Sequence, residues 1–353
     1  MKVCVINDSH FGARSDSQIF LNYFIDFFHN QFFPYLKQNG IKTVLHLGDL
    51  MDRRKFVNFN TLQTVRKQFM EPLEEMGVTV HCVLGNHDTF YKNTNELNSI
   101  RELFSDRYSN FNIYEEPTEI NLDGLTIGMI PWINSNNRED TLEFLKKTKA
   151  PIVCGHFELD GYEVMRGHKF DGGMSDSELK RFEMVLSGHF HNKSSRNNIH
   201  YLGTQYQITF HDLHEKKGFH VLDTETRQIE YVENPQRMFH QIVYDDQRVN
   251  MEKVISDLDF SAYSNTFIKI LILNKKDSYL FDRFIDKLYE QNVQNVTIVE
   301  DAELTSIDEE DILDMAQDTI TIINNEIDGM ETLSNKSDVK NLIRELYMEA
   351  LSQ

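Results

Sequence analysis

Thiols are scarce in this chain: three cysteines, Cys4, Cys82 and Cys154, stand among 353 residues. Their number is odd, and each lies inside an apolar run that reads as a buried strand. They are read as small buried hydrophobes in a reducing compartment, in place of a disulfide framework or a thiolate metal site. Positive charge is also short, with 36 Lys and Arg against 56 Asp and Glu and a formal net charge of -20. Nucleic-acid binding by the overall field normally needs a basic footprint, which argues against autonomous attachment of that kind. Phosphodiester chemistry at a local site stays open, because divalent ions neutralise a site and a partner can supply basic surface. No window approaches the roughly 18 uncharged apolar residues of a membrane span. The run Val3 to Ile6 is too short for a signal peptide and stops at Asn7-Asp8. No internal repeat, low-complexity tract or Gly-x-x-x-x-Gly-Lys loop occurs, so any ATP hydrolysis has to come from another chain. A soluble, cytoplasmic protein without membrane contact is expected.

Five apolar runs end on potential metal ligands. Lys2 to Ile6 precedes Asp8 and His10, and Thr43 to Leu47 precedes Asp49. Val78 to Leu84 precedes Asn86-His87-Asp88, Ile152 to Cys154 precedes His156, and Glu183 to Ser187 precedes His189 and His191. Ligands of α/β sheets gather beyond the carboxyl ends of strands, so these ends should converge on one site. Carboxylate, carboxamide and imidazole donors without thiolate suit Mn, Mg, Fe or Zn ions. Seven such groups exceed the needs of one ion; two ions roughly 3.5 to 4 Å apart and sharing a carboxylate would use them all.

Asp8-x-His10, Gly48-Asp49-x-x-Asp52, Gly85-Asn86-His87-Asp88, Gly155-His156 and Gly188-His189-x-His191 resemble, in order, the five motifs of the calcineurin-like metallophosphoesterase superfamily. Within it, Asp8-Ser9-His10-Phe11-Gly12, the single histidine of the fourth motif and the chain layout resemble SbcD-type double-strand-break repair nuclease subunits, especially phage recombination forms. The resemblance implies that Asp8, His10, Asp49 and His191 hold one metal, while Asp49, Asn86, His156 and His189 hold the other. It implies that His87 is a non-ligand histidine contacting the scissile phosphate and that the Asp52 carboxylate orients it. Arg53 matches an arginine that grips phosphate in the phosphatase branch, with DNA or solvent as its other possible contacts. The remaining histidines, His29, His46, His81, His168, His200, His211, His214, His220 and His240, are read as surface or satisfied core residues.

Elsewhere the pattern is that of an α/β protein. Ile19 to Leu36 and about Asn60 to Met76 carry apolar residues at helical spacing, and alternate with strands to give a largely parallel first sheet. Asn95 to Phe104 reads as a helix, Glu119 to Leu122 and Leu125 to Pro131 as strands about the Asp123-Gly124 turn, and Arg138 to Lys147 as a further helix. Asp160 to Asp176 is a Gly-rich loop beside the site. Short strands at Ile199 to Tyr201, Phe219 to Leu222, Ile229 to Val232 and Phe239 to Tyr244 suggest a second sheet packed on the first. The expected architecture is a two-sheet αββα sandwich (residues 1–248), a small α/β cap (249–302) and a C-terminal helical hairpin (303–353). In the hairpin, Val339, Leu342, Ile343, Leu346 and Tyr347 form an apolar stripe suited either to the chain's own core or to a partner. Phe32, Phe33, Phe56, Val57 and Phe59 are surplus aromatic or apolar surface, divided between ordinary core and a homodimer interface.

The first functional reading is a manganese-dependent DNA nuclease that hydrolyses phosphodiesters at or near DNA ends together with an SbcC-like ATPase, as a homodimer, in recombination, repair or replication. Mg2+, Fe2+ and Zn2+ are also compatible with its donors, and the host cytoplasm is the expected location for a phage-encoded form. The second reading is a phosphatase or small-molecule phosphodiesterase, favoured by Asp52-Arg53 and the acidic charge. A third, a non-catalytic scaffold with a degenerate site, has against it the retention of all seven ligand types.

Overall fold

Continuous apolar runs in the central strands give each sheet two buried faces, and this builds the layers. The computed structural model describes residues 1–165 and 168–300 and the single position Val339. Six strands form the first sheet, in the order Ile229–Glu233, Gly218–Asp223, Lys2–Ile6, Thr43–His46, Thr79–Val83 and Phe111–Tyr114. The last four are parallel, and Gly218–Asp223 runs antiparallel to Lys2–Ile6. The second sheet has the order Ser194–Arg196, Ile199–Tyr201, Met184–Ser187, Ile152–Gly155, Leu125–Ile130 and Thr118–Leu122, again with a parallel centre.

Val3, Val5, Leu45, Leu47 and Val83 of the first sheet pack with Ile127, Met129, Ile152, Cys154 and Leu186 of the second. Cys4, Ile6, Val44, Val80 and Cys82 point the other way, into an aromatic layer that includes Phe24, Phe27, Phe28, Phe32 and Phe69. On the outer face of the second sheet, Ile130, Val153 and Val185 pack with Leu145 and Leu179. The αββα sandwich expected from the sequence is therefore present, and all three cysteines are buried and free.

The two long helices of the aromatic layer share an irregularity. Gln18–Phe27 and Phe33–Gln38 are joined through a π turn at Phe28–Phe32, and Phe59–Val65 and Glu71–Glu75 through another at Arg66–Met70. Each π turn ends two residues before a proline, Pro34 or Pro72. Proline has no N–H, and its ring clashes with the carbonyl four residues back, so a locally widened turn lets the helix continue.

Three sequence expectations are corrected. Phe219 to Leu222 and Ile229 to Val232 belong to the first sheet, since Val3 pairs with Leu222 and Val5 with His220. Phe239–Asp245 joins neither large sheet but pairs in parallel with Phe267–Asn274 in a separate three-stranded sheet completed by Asn295–Val299. Alternation identifies a strand's faces but not its neighbour, which is why only Ile199 to Tyr201 of that group was placed in the right sheet. Within the 249–302 segment a strand, a helix and a strand follow one another at Phe267–Asn274, Ser278–Tyr289 and Asn295–Val299. Apart from Val339, the C-terminal helical expectations lie outside the described residues.

The surplus aromatic surface is divided as well. Phe28, Phe32 and Phe33 are buried in the core, while Phe56 and Phe59 are 62% and 88% exposed. Phe28 contacts the rings of Phe11, Phe27, Phe32, Phe33, Phe69 and Tyr206. Phe28→Ala is accordingly expected to cost about 3 to 5 kcal/mol of unfolding free energy in a denaturant titration. Phe59→Ser is expected to change it by less than about 0.5 kcal/mol, as for other surface changes.

Candidate metal centre

The five apolar runs end where the sequence reading required. Three of the strands are neighbours in the first sheet and two in the second, so their carboxyl ends meet across the sandwich. In one donor set, His10 Nε2 lies 3.1 Å from His191 Nε2, 3.8 Å from Asp8 Oδ1 and 3.7 Å from Asp49 Oδ2. In the other, His156 Nε2 lies 3.0 Å from Asn86 Oδ1 and 3.3 Å from Asp49 Oδ2, and His189 Nδ1 lies 3.0 Å from Asn86 Oδ1. Asp49 Oδ2 is common to both sets. Donors about 2.0 to 2.2 Å from one shared ion stand roughly 3 to 4 Å from each other, so these spacings and this all-oxygen-and-imidazole chemistry fit two hard or borderline divalent cations.

Three of the four imidazoles have their second nitrogen occupied, which leaves the other nitrogen for the cluster. His156 Nδ1 is 2.7 Å from the Leu47 carbonyl, His10 Nδ1 is 3.1 Å from Asp52 Oδ1, and His189 Nε2 is 3.2 Å from Glu158 Oε2. Such partners fix the tautomer and ring orientation of a ligating histidine. His191 is held through its main chain: its carbonyl accepts a 2.8 Å bond from Lys217 Nζ, itself buried and paired at 2.6 Å with Asp212. Trp132, the only tryptophan, lies beside the second set, its ring 5.4 Å from that of His189.

The backbone here is strained. Asp8, His10, Asp49 and His189 have φ of 48°, 44°, 55° and 85°, in the left-handed region that residues with a Cβ seldom occupy. One buried carboxylate holds much of this in place. Asp88 Oδ2 accepts from the N–H groups of Asp49 and Gly85, both at 2.8 Å, and Oδ1 from Leu50 and Met51, both at 3.1 Å. It thus ties the second motif to the third. Gly85 is required for the same approach, because a Cβ there would collide with the Asp49 backbone and carboxylate.

Charge follows geometry. Burial opposes ionisation of Asp8 and Asp49, yet neighbouring imidazoles hold both pKa values below the ordinary carboxylate range. Burial likewise opposes the charging of His10, but hydrogen bonding to Asp52 and Asp8 holds its pKa well above the usual value; Asp49 and Asp8 raise His156 to about 9 against the same penalty. His191 is pushed down to about 4, by burial first and then by His10. The carboxylates therefore demand positive charge, which protons on His10 and His156 supply in the chain alone. Divalent ions would displace those protons.

His87 sits at the junction. Its N–H donates to Asp49 Oδ1 at 2.8 Å, its Nδ1 is 2.5 Å from the Asp52 carbonyl, and its ring meets that of His10 edge-on at 4.8 Å between centroids. Asp52 does contact His87, but through its main chain; its carboxylate serves His10. That differs from the expectation that the carboxylate orients His87. Arg53 is engaged elsewhere, 3.4 Å from Asp16 Oδ2 and over the Phe56 ring. Sequence reasoning gave no role to Asp88, Glu158, Lys217 or Trp132. Asp88 and Glu158 each lie within two residues of an assigned ligand, which was a usable signal. Lys217 and Trp132 carried none.

Residues 1–193 match the calcineurin-like phosphoesterase family, and the chain belongs to it. Its fold and donor set are those of a metal-dependent phosphoester hydrolase. Along almost its whole length the chain is similar to exonuclease subunit 1 of Enterobacteria phage T4, with 30% identity over 99% of each chain. Two solved structures are more distant. A novel archaeal phosphodiesterase shares 14% identity at a TM-score of 0.33, covering 66% of this chain and 100% of its own. GAP50, the anchor in the inner membrane complex of Plasmodium, shares 15% at a TM-score of 0.40, covering 67% and 90%. Likenesses that slight bear on neither function nor architecture.

The Glu158 contact generates a test. Glu158→Gln removes the charge that orients His189 while preserving size, and should weaken retention of the second ion by about 10- to 100-fold in a metal titration. The first ion should be little affected.

Proposed function

We propose that this chain is a two-metal-dependent DNA nuclease, hydrolysing phosphodiesters at or near DNA ends with exonuclease or endonuclease action. The observation that carries the reading is the pair of four-donor sets sharing Asp49, together with full-length similarity to a phage exonuclease subunit. Asp8, His10, Asp49 and His191 would hold one ion and Asp49, Asn86, His156 and His189 the other, with Mn2+ first among Mn2+, Mg2+, Fe2+ and Zn2+. When bound, such ions neutralise phosphoryl oxygens and acidify water.

The chain's own residues do the rest. Asp52 fixes His10 so that Nε2 faces the cluster. His87, steadied by the Asp52 carbonyl and the Asp49 carboxylate, keeps Nε2 available to contact the scissile phosphate and to deliver a proton to the departing oxygen. That assignment accounts for a histidine packed between the two sets with one nitrogen already committed. We assign the three parts of the chain to a nuclease domain, a cap and a partner-binding segment. The partner is an SbcC-like ATPase, since this sequence has no nucleotide loop of its own, and the host cytoplasm is the setting. The acidic net charge favours the alternative of a small-substrate phosphatase, and substrate choice decides between them.

With Mn2+, the purified protein should turn over linear DNA faster than a chromogenic phosphomonoester. His87→Ala should retain both ions and lose roughly 10² to 10⁴-fold in rate, the range of acid–base groups. Faster turnover of the monoester would favour the phosphatase, and loss of metal in His87→Ala would make it a ligand.

We further propose a homodimer, resting now on exposed Phe56 and Phe59 and no longer on Phe32 or Phe33. Light scattering should give about twice the 41.6 kDa chain mass, and Phe59→Ser should shift it toward the monomer. Addition of the ATPase subunit should raise the mass further, an increase that deletion of 303–353 should abolish.

A further inference from the structure

Trp132 stands two residues beyond Leu125–Ile130, the parallel neighbour of the strand that leads to His156, and so beside the second donor set at the carboxyl end of the same sheet. Its main chain is held on both sides. The N–H donates to the Leu84 carbonyl at 2.7 Å, and the carbonyl accepts from Asn95 Nδ2 at 3.1 Å and from Asn137 Nδ2 at 2.9 Å. Buried Asn95 in turn accepts through Oδ1 from Nδ2 of Asn134, also buried, at 2.9 Å. The side chain is not spent on the interior. Ile130 and Ile133 on either side pack in the outer core of the second sheet, but the indole belongs to none of the apolar clusters among the described residues. Its ring neighbours are imidazoles, His189 at 5.4 Å and His156 at 6.0 Å between centroids. The indole is half-buried, and its N–H has no acceptor among the described residues without being one of the sealed, orphaned donors. A tryptophan ordinarily buries its large apolar area and satisfies its N–H. Here a firmly mounted ring leaves part of its surface and its N–H open, next to the donors of the second set.

We propose that Trp132 is the stacking platform for a nucleobase that flanks the scissile phosphate, so that the site selects nucleotide esters over phosphates without a base. The proposal rests on the reading that the centre hydrolyses a phosphodiester. A nucleotide holds its base one sugar away from its phosphate, and Trp132 is one side chain away from the donors that would hold the ions and, through them, the phosphate. Every base has a π face, so an aromatic ring at that place gains affinity for any sequence. Stacking needs no cation, which suits a chain of net charge -20. Leu84 and the asparagines fix the main chain beneath the ring before substrate arrives, so little freedom is lost when a base lies on it.

Trp132 is the chain's only tryptophan, so its emission reports on this place directly. The full chain with Mn2+ is titrated with thymidine 5′-monophosphate and, in the same buffer, with deoxyribose 5-phosphate, exciting at the red edge of the indole band where thymine is transparent. The nucleotide is expected to quench Trp132 and the sugar phosphate to leave it unchanged. Turnover of end-labelled DNA is then compared for the unaltered chain, W132A and W132F, with an abasic nucleoside on one side or the other of the scissile phosphate. W132A should keep both ions and raise KM on normal DNA roughly 10- to 100-fold, the range of base–aromatic stacking. W132F should keep most of the affinity, and the W132A penalty should vanish when one of the two flanking bases is absent. Equal quenching by both ligands, or none by the nucleotide, would overturn the proposal. So would an equal W132A penalty on normal DNA and on both abasic substrates, or loss of manganese in W132A, which would make the ring a wall of the metal site. Should W132A fail to fold, the quenching contrast in the unaltered chain decides alone. Cleavage of DNA without that contrast leaves the nuclease reading standing and sinks this one; the contrast without cleavage of DNA does the reverse.

Discussion

Asp49 has to serve two donor sets at once, and much of the architecture follows from that requirement. Its carboxylate is within 3.7 Å of His10 on one side and 3.3 Å of His156 on the other, so residues from both sheets must reach the same few ångströms. Its backbone is in the left-handed region, and the loop carrying it is drawn against the Gly85 loop by Asp88. Burial and the nearby Asp49 push Asp88 up to about 7, while the backbone N–H groups of Gly85 and Met51 pull it back toward the anion. The Asp88 anion is thus the internal counterpart of the strain: its hydrogen bonds hold a loop conformation that the residues alone would not choose.

The same centre reconciles the composition with the chemistry. A chain of net charge -20 repels polyanions in general, but the donor sets contain only two carboxylates, Asp8 and Asp49, among seven groups. Two divalent ions would leave such a site positive. Electrostatic recognition of phosphate would then be confined to the cleft, with His87 at its edge, and wider attachment to DNA would fall to other surfaces or other chains.

Support for the donor groups extends outward in layers. Leu47, Asp52 and Glu158 fix imidazole tautomers, and the buried Lys217–Asp212 pair anchors the turn carrying His191. Strands of two sheets, each buried on both faces, supply a rigid base, so the positions of the donor groups depend on packing far from the site. Aromatic density in the first helical layer serves that end: Phe28, Phe32 and Phe69 stiffen the face behind Cys4 and Ile6.

Much of this was legible in the sequence. Hydrophobic runs stopping at Asp, Asn and His located five strand ends and seven donor groups, because a buried strand must be apolar and a ligand must sit just beyond it. Helical spacing located the two long helices. Pairing was not legible: Gly218–Asp223 belongs beside Lys2–Ile6, and Phe239–Asp245 beside Phe267–Asn274, because register depends on partners distant in sequence. Nor was the direction in which side chains turn. Asp52, Arg53 and Arg54 are adjacent in sequence, yet one carboxylate went to His10, one guanidinium to Asp16, and the other has no acceptor on Nη1 among the described residues. A sequence reports which groups are available at a strand end; the loop backbone, held by Asp88 and the packed sheets, decides where each of them points.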